Sequence, residues 1–237
     1  MIELFVGEEK RTFAAHKNLL VLHSEYLRNI LLDPDADHKI LLPQFDSTTF
    51  AKFLSYLYSG EFNDGYALAT RMCGEETWML GQFLRAPHFQ NYSMYGIITE
   101  VKNEPNHFMY VNTIEAVYRI TRASCNLRRF YAECIAAKNP LQEHPEGSKE
   151  HSDWRSLFER NSHLRNDLAI ANGKKWNGTF PWDDKFRQSY MEETIPLEEI
   201  WDTQILSEDK SKAEIKKAAE AGDFLSKIKL AHLDRKK

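Results

Sequence analysis

The period of apolar and polar positions changes along this chain, and each change marks a predicted element. Residues 2–6 are apolar-rich, Gly7-Glu8-Glu9-Lys10 is a polar turn, and residues 11–14 continue extended. Two β-rich segments around a glycine turn predict a hairpin. The spacing then becomes helical. Leu19, Leu20 and Leu22 lead to Ser24, a natural N-cap, and on to Tyr26, Leu27, Ile30 and Leu31. This predicts two short helices over 17–22 and 25–31. Pro34, inside the acidic turn 33–37, lacks an N–H donor and stops the second one. Residues 39–42 read as a short strand closed by Pro43. Asp46 or Ser47 then caps an amphipathic helix that puts Phe50, Phe53, Leu54, Leu57 and Tyr58 on one face. Gly60 is placed to end that helix in a left-handed turn.

From about residue 75 the pattern is helical almost throughout. Four stripes follow one another: Trp78, Met79, Phe83 and Leu84; Tyr95, Ile97, Ile98 and Val101; Ile114, Val117, Tyr118 and Thr121; and Leu127, Phe130, Tyr131 and Cys134. The polar stretch 139–148, with two prolines, marks a boundary. Beyond it, Trp154, Leu157 and Phe158 anchor a helix near 150–160. Residues 172–184 are rich in Gly and Asn but hold Trp176, Phe180 and Trp182, and aromatics in such number are expected to pack. Ser211-Lys212-Ala213-Glu214 is a capping box that opens a charged C-terminal helix.

Composition narrows the function classes. The 237 residues are 42% hydrophobic and 28% charged with net charge -4, which describes a globular chain without the basic face that nucleic acid requires. No apolar run approaches the ~20 residues of a bilayer span. The first residues lack the basic and long apolar parts of a secretory signal. Three cysteines, Cys73, Cys125 and Cys134, suit a reducing compartment and read as buried structural thiols. The expectation is an intracellular protein, cytoplasmic and/or nuclear, with no direct nucleic-acid or membrane partner.

The search for catalytic chemistry returns no site. No Gly-rich phosphate loop, G-x-S-x-G elbow, H-E-x-x-H helix or C-x-x-C pair occurs. Catalytic, cofactor-binding and metal residues are therefore each expected to be none. Asp33, Asp35 and Asp37 alternate like calcium ligands but lack the following glycine and glutamate, so they read as a solvated turn. His16, between an extended segment and a helix, reads as a junction histidine bonding backbone, and His144 and His151 as solvated. Lys210, Lys212, Lys216 and Lys217 are interleaved with acids and read as a solvated helical face.

Read together, the first sixty residues resemble a BTB/POZ domain. The resemblance is carried by Phe13-Ala14-Ala15-His16-Lys17-Asn18-Leu19-Leu20, Ser24-Glu25-Tyr26-Leu27, Ile40-Leu41-Leu42 and Phe50-Ala51-Lys52-Phe53-Leu54-Ser55-Tyr56-Leu57-Tyr58-Ser59-Gly60. These are similar to the family's F-x-A-H-K-x-x-L-x-x-x-S-x-Y-F and F-x-x-x-L-x-Y-L-Y-T-G patterns. The matched positions, expected to be structural, are Phe13, His16, Lys17, Leu20, Ser24, Tyr26, Phe50, Leu54, Leu57, Tyr58 and Gly60. The stretch from Tyr110-Val111-Asn112-Thr113 to Leu127-Arg128-Arg129-Phe130 resembles the helical extension of fungal members.

The resemblance implies an α+β fold, a small three-stranded sheet capped by a helical cluster and followed by an all-helical C-terminal region. The expected organisation is a BTB/POZ domain over 1–104, a helical extension over 105–140 packed on it, and a mostly helical region over 141–237. It implies a non-enzymatic protein–protein interaction module that self-associates and/or scaffolds a partner protein. Three departures stand out. Met1 stands where the family has an acid before its first strand, so a homo-oligomer would lack the usual strand-swapped N-terminus and Lys17 its acidic mate. The loop after Leu32 lacks the hydrophobic-x-Glu element of cullin adaptors, which lowers the alternative of a substrate adaptor for a cullin-based ubiquitin ligase. Leu27 replaces an aromatic. The alternative of another class is a small enzyme with its site in 105–237, using His107, His151 or His163.

Overall fold

The computed structural model describes residues 1–33, 39–62, 73–103, 110–176 and 178–205. Most of the acidic turn at 33–37, His107, and the capping box with its charged C-terminal helix lie outside the described residues. The chain forms two compact units, one of Met1–Gly60, Leu84–Ala86 and Thr194–Lys237, the other of Glu61–Phe83 and Pro87–Glu193.

The first unit holds the sheet. Strands β1 (Ile2–Val6) and β2 (Arg11–Ala15) pair antiparallel, with Leu4 opposite Phe13. Gly7 turns the chain at φ +80°, a left-handed conformation that glycine adopts without a Cβ clash. β3 (Ile40–Leu42) pairs parallel with β1, giving the order β2-β1-β3. Parallel pairing needs a long crossover, and the two helices α1 (Lys17–His23) and α2 (Glu25–Leu32) lie in it. Leu4, Val6, Ile40 and Leu42 are buried, whereas Leu41 is half exposed, so one side of the sheet faces the core.

Ser24 joins α1 to α2. Its hydroxyl accepts the Leu27 N–H at 3.1 Å, which caps α2, and donates to the Leu84 carbonyl at 2.6 Å. The Glu25 N–H also donates to the Arg85 carbonyl, and the two side chains form a salt bridge at 2.8 Å. Ser24→Ala loses the cap and leaves a buried carbonyl without its donor. We expect it to cost about 2–3 kcal/mol, read as a lower urea midpoint at unchanged slope.

α3 (Ser47–Ser59) is the helix predicted from periodicity. Asp46 caps it by accepting the Thr48 and Thr49 N–H groups at 2.7 and 2.9 Å. Gly60 ends it at φ +78° with its N–H on the Tyr56 carbonyl at 2.9 Å. The predicted apolar face is narrower in the structure. Phe50, Phe53 and Leu57 are buried and Leu54 half-buried, but Tyr58 is 52% exposed. Eight residues beyond Phe50 is about 80° further round a helix of 3.6 residues per turn, enough to carry Tyr58 off the core side.

The second unit is helical. α4 (Cys73–Leu84), α5 (Pro87–Asn103), α6 (Val111–Ile120) and α7 (Asn126–Lys138) match the four predicted stripes. Two glycines of α4 allow α5 to come close, since a Cβ on Gly74 would meet Ile97 at 2.5 Å and one on Gly81 would meet Gln90 at 2.7 Å. α8 (Pro140–Glu143), α9 (Lys149–Arg160), α10 (Ser162–Ala171) and α11 (Asp184–Arg187) follow. α10 is an addition to the predicted elements. One apolar cluster collects Trp78, Ile98, Val117 and Phe130 with Leu157, Leu164, Trp182 and Tyr190, from both sides of the polar stretch 139–148. The aromatics of 172–184 pack as expected. Trp182 is buried and stacks on Phe180 at 4.7 Å, and Trp176 meets Phe186 edge-on at 5.4 Å.

Candidate interaction surface

The motif residues of the first unit divide into packing and linking groups. Leu20, Phe50 and Leu57 are buried, and Phe13 meets Phe50 edge-on with centroids 5.3 Å apart. Ser24 and Gly60 set helix ends, Lys17 opens α1 half-buried, and Tyr26 and Leu54 are half-buried on α2 and α3. His16 and Tyr58, 42 residues apart, link the start of α1 to the end of α3. The Tyr58 hydroxyl accepts the His16 N–H at 3.1 Å and lies 2.8 Å from His16 Nδ1. The ring of His16 thus meets a hydroxyl rather than backbone. The hydroxyl accepts from the backbone and shares a second hydrogen bond with Nδ1, whose direction the ring tautomer sets, so backbone and imidazole meet at one oxygen.

The outward side of the sheet follows from strand alternation. Phe5 lies opposite Thr12 on β2 and Leu41 on β3. Leu41 is 50% exposed and Phe5 half-buried, with the Lys39 ammonium 5.4 Å from the Phe5 ring. Among the described residues β3 pairs only with β1 and forms an edge of the sheet. The motif match marked Leu41 only as part of a core-like strand. Register, unreadable before the pairing was known, turns it outward.

The second unit contains buried polar chemistry that the stripes did not mark. Glu133 on α7 is 3% exposed, and its carboxylate accepts from Lys174 Nζ at 2.5 Å and from the Tyr190 hydroxyl at 2.6 Å. Burial and the bond to Glu133 both push the Tyr190 hydroxyl up from its ordinary pKa. Arg128, also buried, donates to Thr121 Oγ1 at 2.9 Å and to the Tyr118 and Thr121 carbonyls, and lies over the Tyr118 ring. The carbonyls at the C-terminal end of α6 carry partial negative charge, which offsets the buried guanidinium. Burial raises the Cys134 thiol well above its ordinary value, as for the inert thiol expected. Cys125 is only half-buried, a correction to the expectation of full burial.

A cavity of about 300 Å³ lies between α7 and α10, lined by Ala132, Ile170 and Ala171 with Arg129, Glu133, Asp167 and Lys174. Its charges are engaged with protein groups: Asp167 accepts the Tyr118 hydroxyl at 2.9 Å, and Arg129 donates to the Ser189 carbonyl and to Asn126 Oδ1. No histidine lines it. His163 is exposed, and His144 and His151 are half-buried rather than solvated. Among the described residues, no three His, Cys, Asp or Glu side chains are grouped to hold a metal. Among them, too, no helix is long and apolar enough to cross a membrane.

The geometry therefore defines an α+β unit built from a small mixed sheet and capped helices, whose motif side chains pack, cap and link. Residues 2–100 match the family model of the BTB/POZ domain. That stretch of the chain is a BTB/POZ domain, a member of a family of protein–protein interaction domains. No curated protein and no solved structure matches the chain.

Proposed function

We propose that this chain is a non-enzymatic protein–protein interaction module that self-associates and/or scaffolds a partner protein inside the cell, in the cytoplasm and/or nucleus. In this reading residues 1–104 are the interaction domain, 105–140 a fungal-type helical extension packed on it, and 141–237 a mostly helical region without an assigned role. The observation carrying it is the BTB/POZ match over residues 2–100. The outward sheet side supports it further, since Leu41, at 50% exposure, and Phe5 give a partner an apolar centre on the edge strand and its neighbour.

The test is affinity capture with the full chain and its Leu41→Glu variant, with light scattering on both. Leu41→Glu is expected to weaken partner binding more than about tenfold, by placing a charge at an apolar contact. Its melting temperature should hold, because the side chain is half in solvent already. A wild-type protein that stays monomeric and captures nothing defeats the reading. Unchanged capture by the variant moves the surface away from the sheet. Direct binding of a cullin N-terminal region at about 10 µM would assign the adaptor role instead, and its failure would remove that role.

A further inference from the structure

The cavity between α7 and α10 has a helix face for each of two walls. Arg129, Ala132 and Glu133 stand at i, i+3 and i+4 on α7, and Asp167, Ile170 and Ala171 repeat that spacing on α10. Positions three and four apart share one side of a helix, so each wall sets charge beside aliphatic carbon. Lys174, three residues past the end of α10, completes the lining. Ile170 is 75% exposed and the Lys174 side chain 53%, so the cavity opens to solvent.

Four charges line this space, and only two of them pair with each other. Lys174 and the buried Glu133 form an ion pair at 2.5 Å, and the Tyr190 hydroxyl donates to the second Glu133 oxygen. Arg129 and Asp167, opposite in sign, form no ion pair with each other. Each is held from one side by neutral groups. Asp167 Oδ2 accepts the Tyr118 hydroxyl at 2.9 Å, and Arg129 Nη2 donates to the Asn126 side chain and the Ser189 carbonyl. Burial and Asp167 both push the Tyr118 hydroxyl above its ordinary pKa, so it stays a donor. Among the described residues, Asp167 Oδ1 and Arg129 Nη1 carry no hydrogen bond.

A half-buried carboxylate with a free oxygen suits an ammonium, and a guanidinium with free N–H groups suits a carboxylate. Ile170, Ala171 and Ala132 beside them suit hydrocarbon. A ligand that matches all three features has one positive and one negative end on an aliphatic frame. An inorganic ion would meet one charge and leave the other. At about 300 Å³ the cavity lies at the small end of ligand sites, the size of a free amino acid rather than of a peptide.

We propose that this cavity binds a free α-amino acid with an aliphatic side chain, its ammonium on Asp167, its carboxylate on Arg129 and its side chain on Ile170. The proposal does not rest on the interaction-module reading, which stands whatever the outcome.

The experiment titrates the full ¹⁵N-labelled chain to about 10 mM with three probes and follows its amide resonances. They are L-leucine, L-leucinamide without the carboxylate, and 4-methylpentanoate without the ammonium. Leucine is expected to saturate with shifts centred on the α7 and α10 amides, and each one-charge analogue to bind about tenfold or more weakly. Asp167→Asn keeps an acceptor for Tyr118 but should remove the advantage of leucine over 4-methylpentanoate. Ile170→Asp, at a residue already mostly in solvent, should leave the melting temperature in place and weaken leucine about tenfold or more. Leucine that does not saturate, or that saturates with shifts elsewhere, overturns the site. An analogue that binds as well as leucine, or leucine binding indifferent to both variants, overturns the two-charge recognition.

Discussion

Phe50→Ala is expected to lower the unfolding free energy by about 3–5 kcal/mol, close to the whole stability of a marginal domain. Phe50 is completely buried. It stands on α3 and meets Phe13 of β2 edge-on at 5.3 Å and Phe53 at 5.8 Å, so one ring ties the helix to the sheet and fills the angle between them. Truncation removes the transfer free energy of the ring and leaves a void, because the capped helix and the paired strands are each held by their own hydrogen bonds and close in only partly. Phe50→Leu, which keeps most of the volume, should cost on the order of 1–2 kcal/mol. Urea unfolding followed by far-UV circular dichroism gives the size, and hydrogen exchange at the α3 and β2 amides gives the place. A loss below about 1 kcal/mol for the alanine would mean that the site collapses and that the ring is not what joins the two layers.

How much of this could be read from the chain alone depends on how local each signal is. The hairpin, Asp46 as a cap, Gly60 as a helix stop and the α3 stripe are all written within four to ten residues, and the structure has them where periodicity and capping place them, save for Tyr58 at the end of the stripe. α10 was not legible because its apolar positions, Leu164, Leu168 and Ala171, form a thin stripe among Ser, His, Arg, Asn and Asp. They become a face only when α7 is set against them. The Glu133–Lys174–Tyr190 group joins residues 41 and 57 positions apart. No short window contains it, and Glu133 alone reads as a surface acid within a helix. His16 and Tyr58 were both picked out as motif positions, but their bond spans 42 residues. Residue type suggested that each matters, while only the fold shows that they meet. The packing of residues 197–205 on α1 is the extreme case, a contact between an early helix and the last described residues.

The same distinction between local sequence and distant partner makes stability depend on pH through Glu75. This residue sits in the first turn of α4, 7% exposed, where the helix N-terminus would ordinarily favour a carboxylate. Burial overrides that preference and raises its carboxyl from 4.5 to about 7, with Glu100 and Glu76 adding to the rise and the hydrogen bond donated by the Tyr131 hydroxyl opposing it. The unfolded chain returns the group to its ordinary value. Between pH 4.5 and about 7 the folded state therefore holds a proton that the unfolded state has released, and stability falls as pH rises. The contribution is complete below pH 4.5 and gone above about 7, a loss on the order of 3 kcal/mol. Glu75→Gln keeps an acceptor for Tyr131 but cannot ionise. Its stability relative to the wild type should therefore climb across that window and reach on the order of 3 kcal/mol at pH 8, measured by urea unfolding of both proteins at each pH. Tyr131→Phe removes the bond that holds the carboxyl down, so it should extend the wild-type decline to higher pH. A variant-minus-wild-type difference that stays constant from pH 4 to 8 would show that Glu75 ionises normally in the fold, despite its burial.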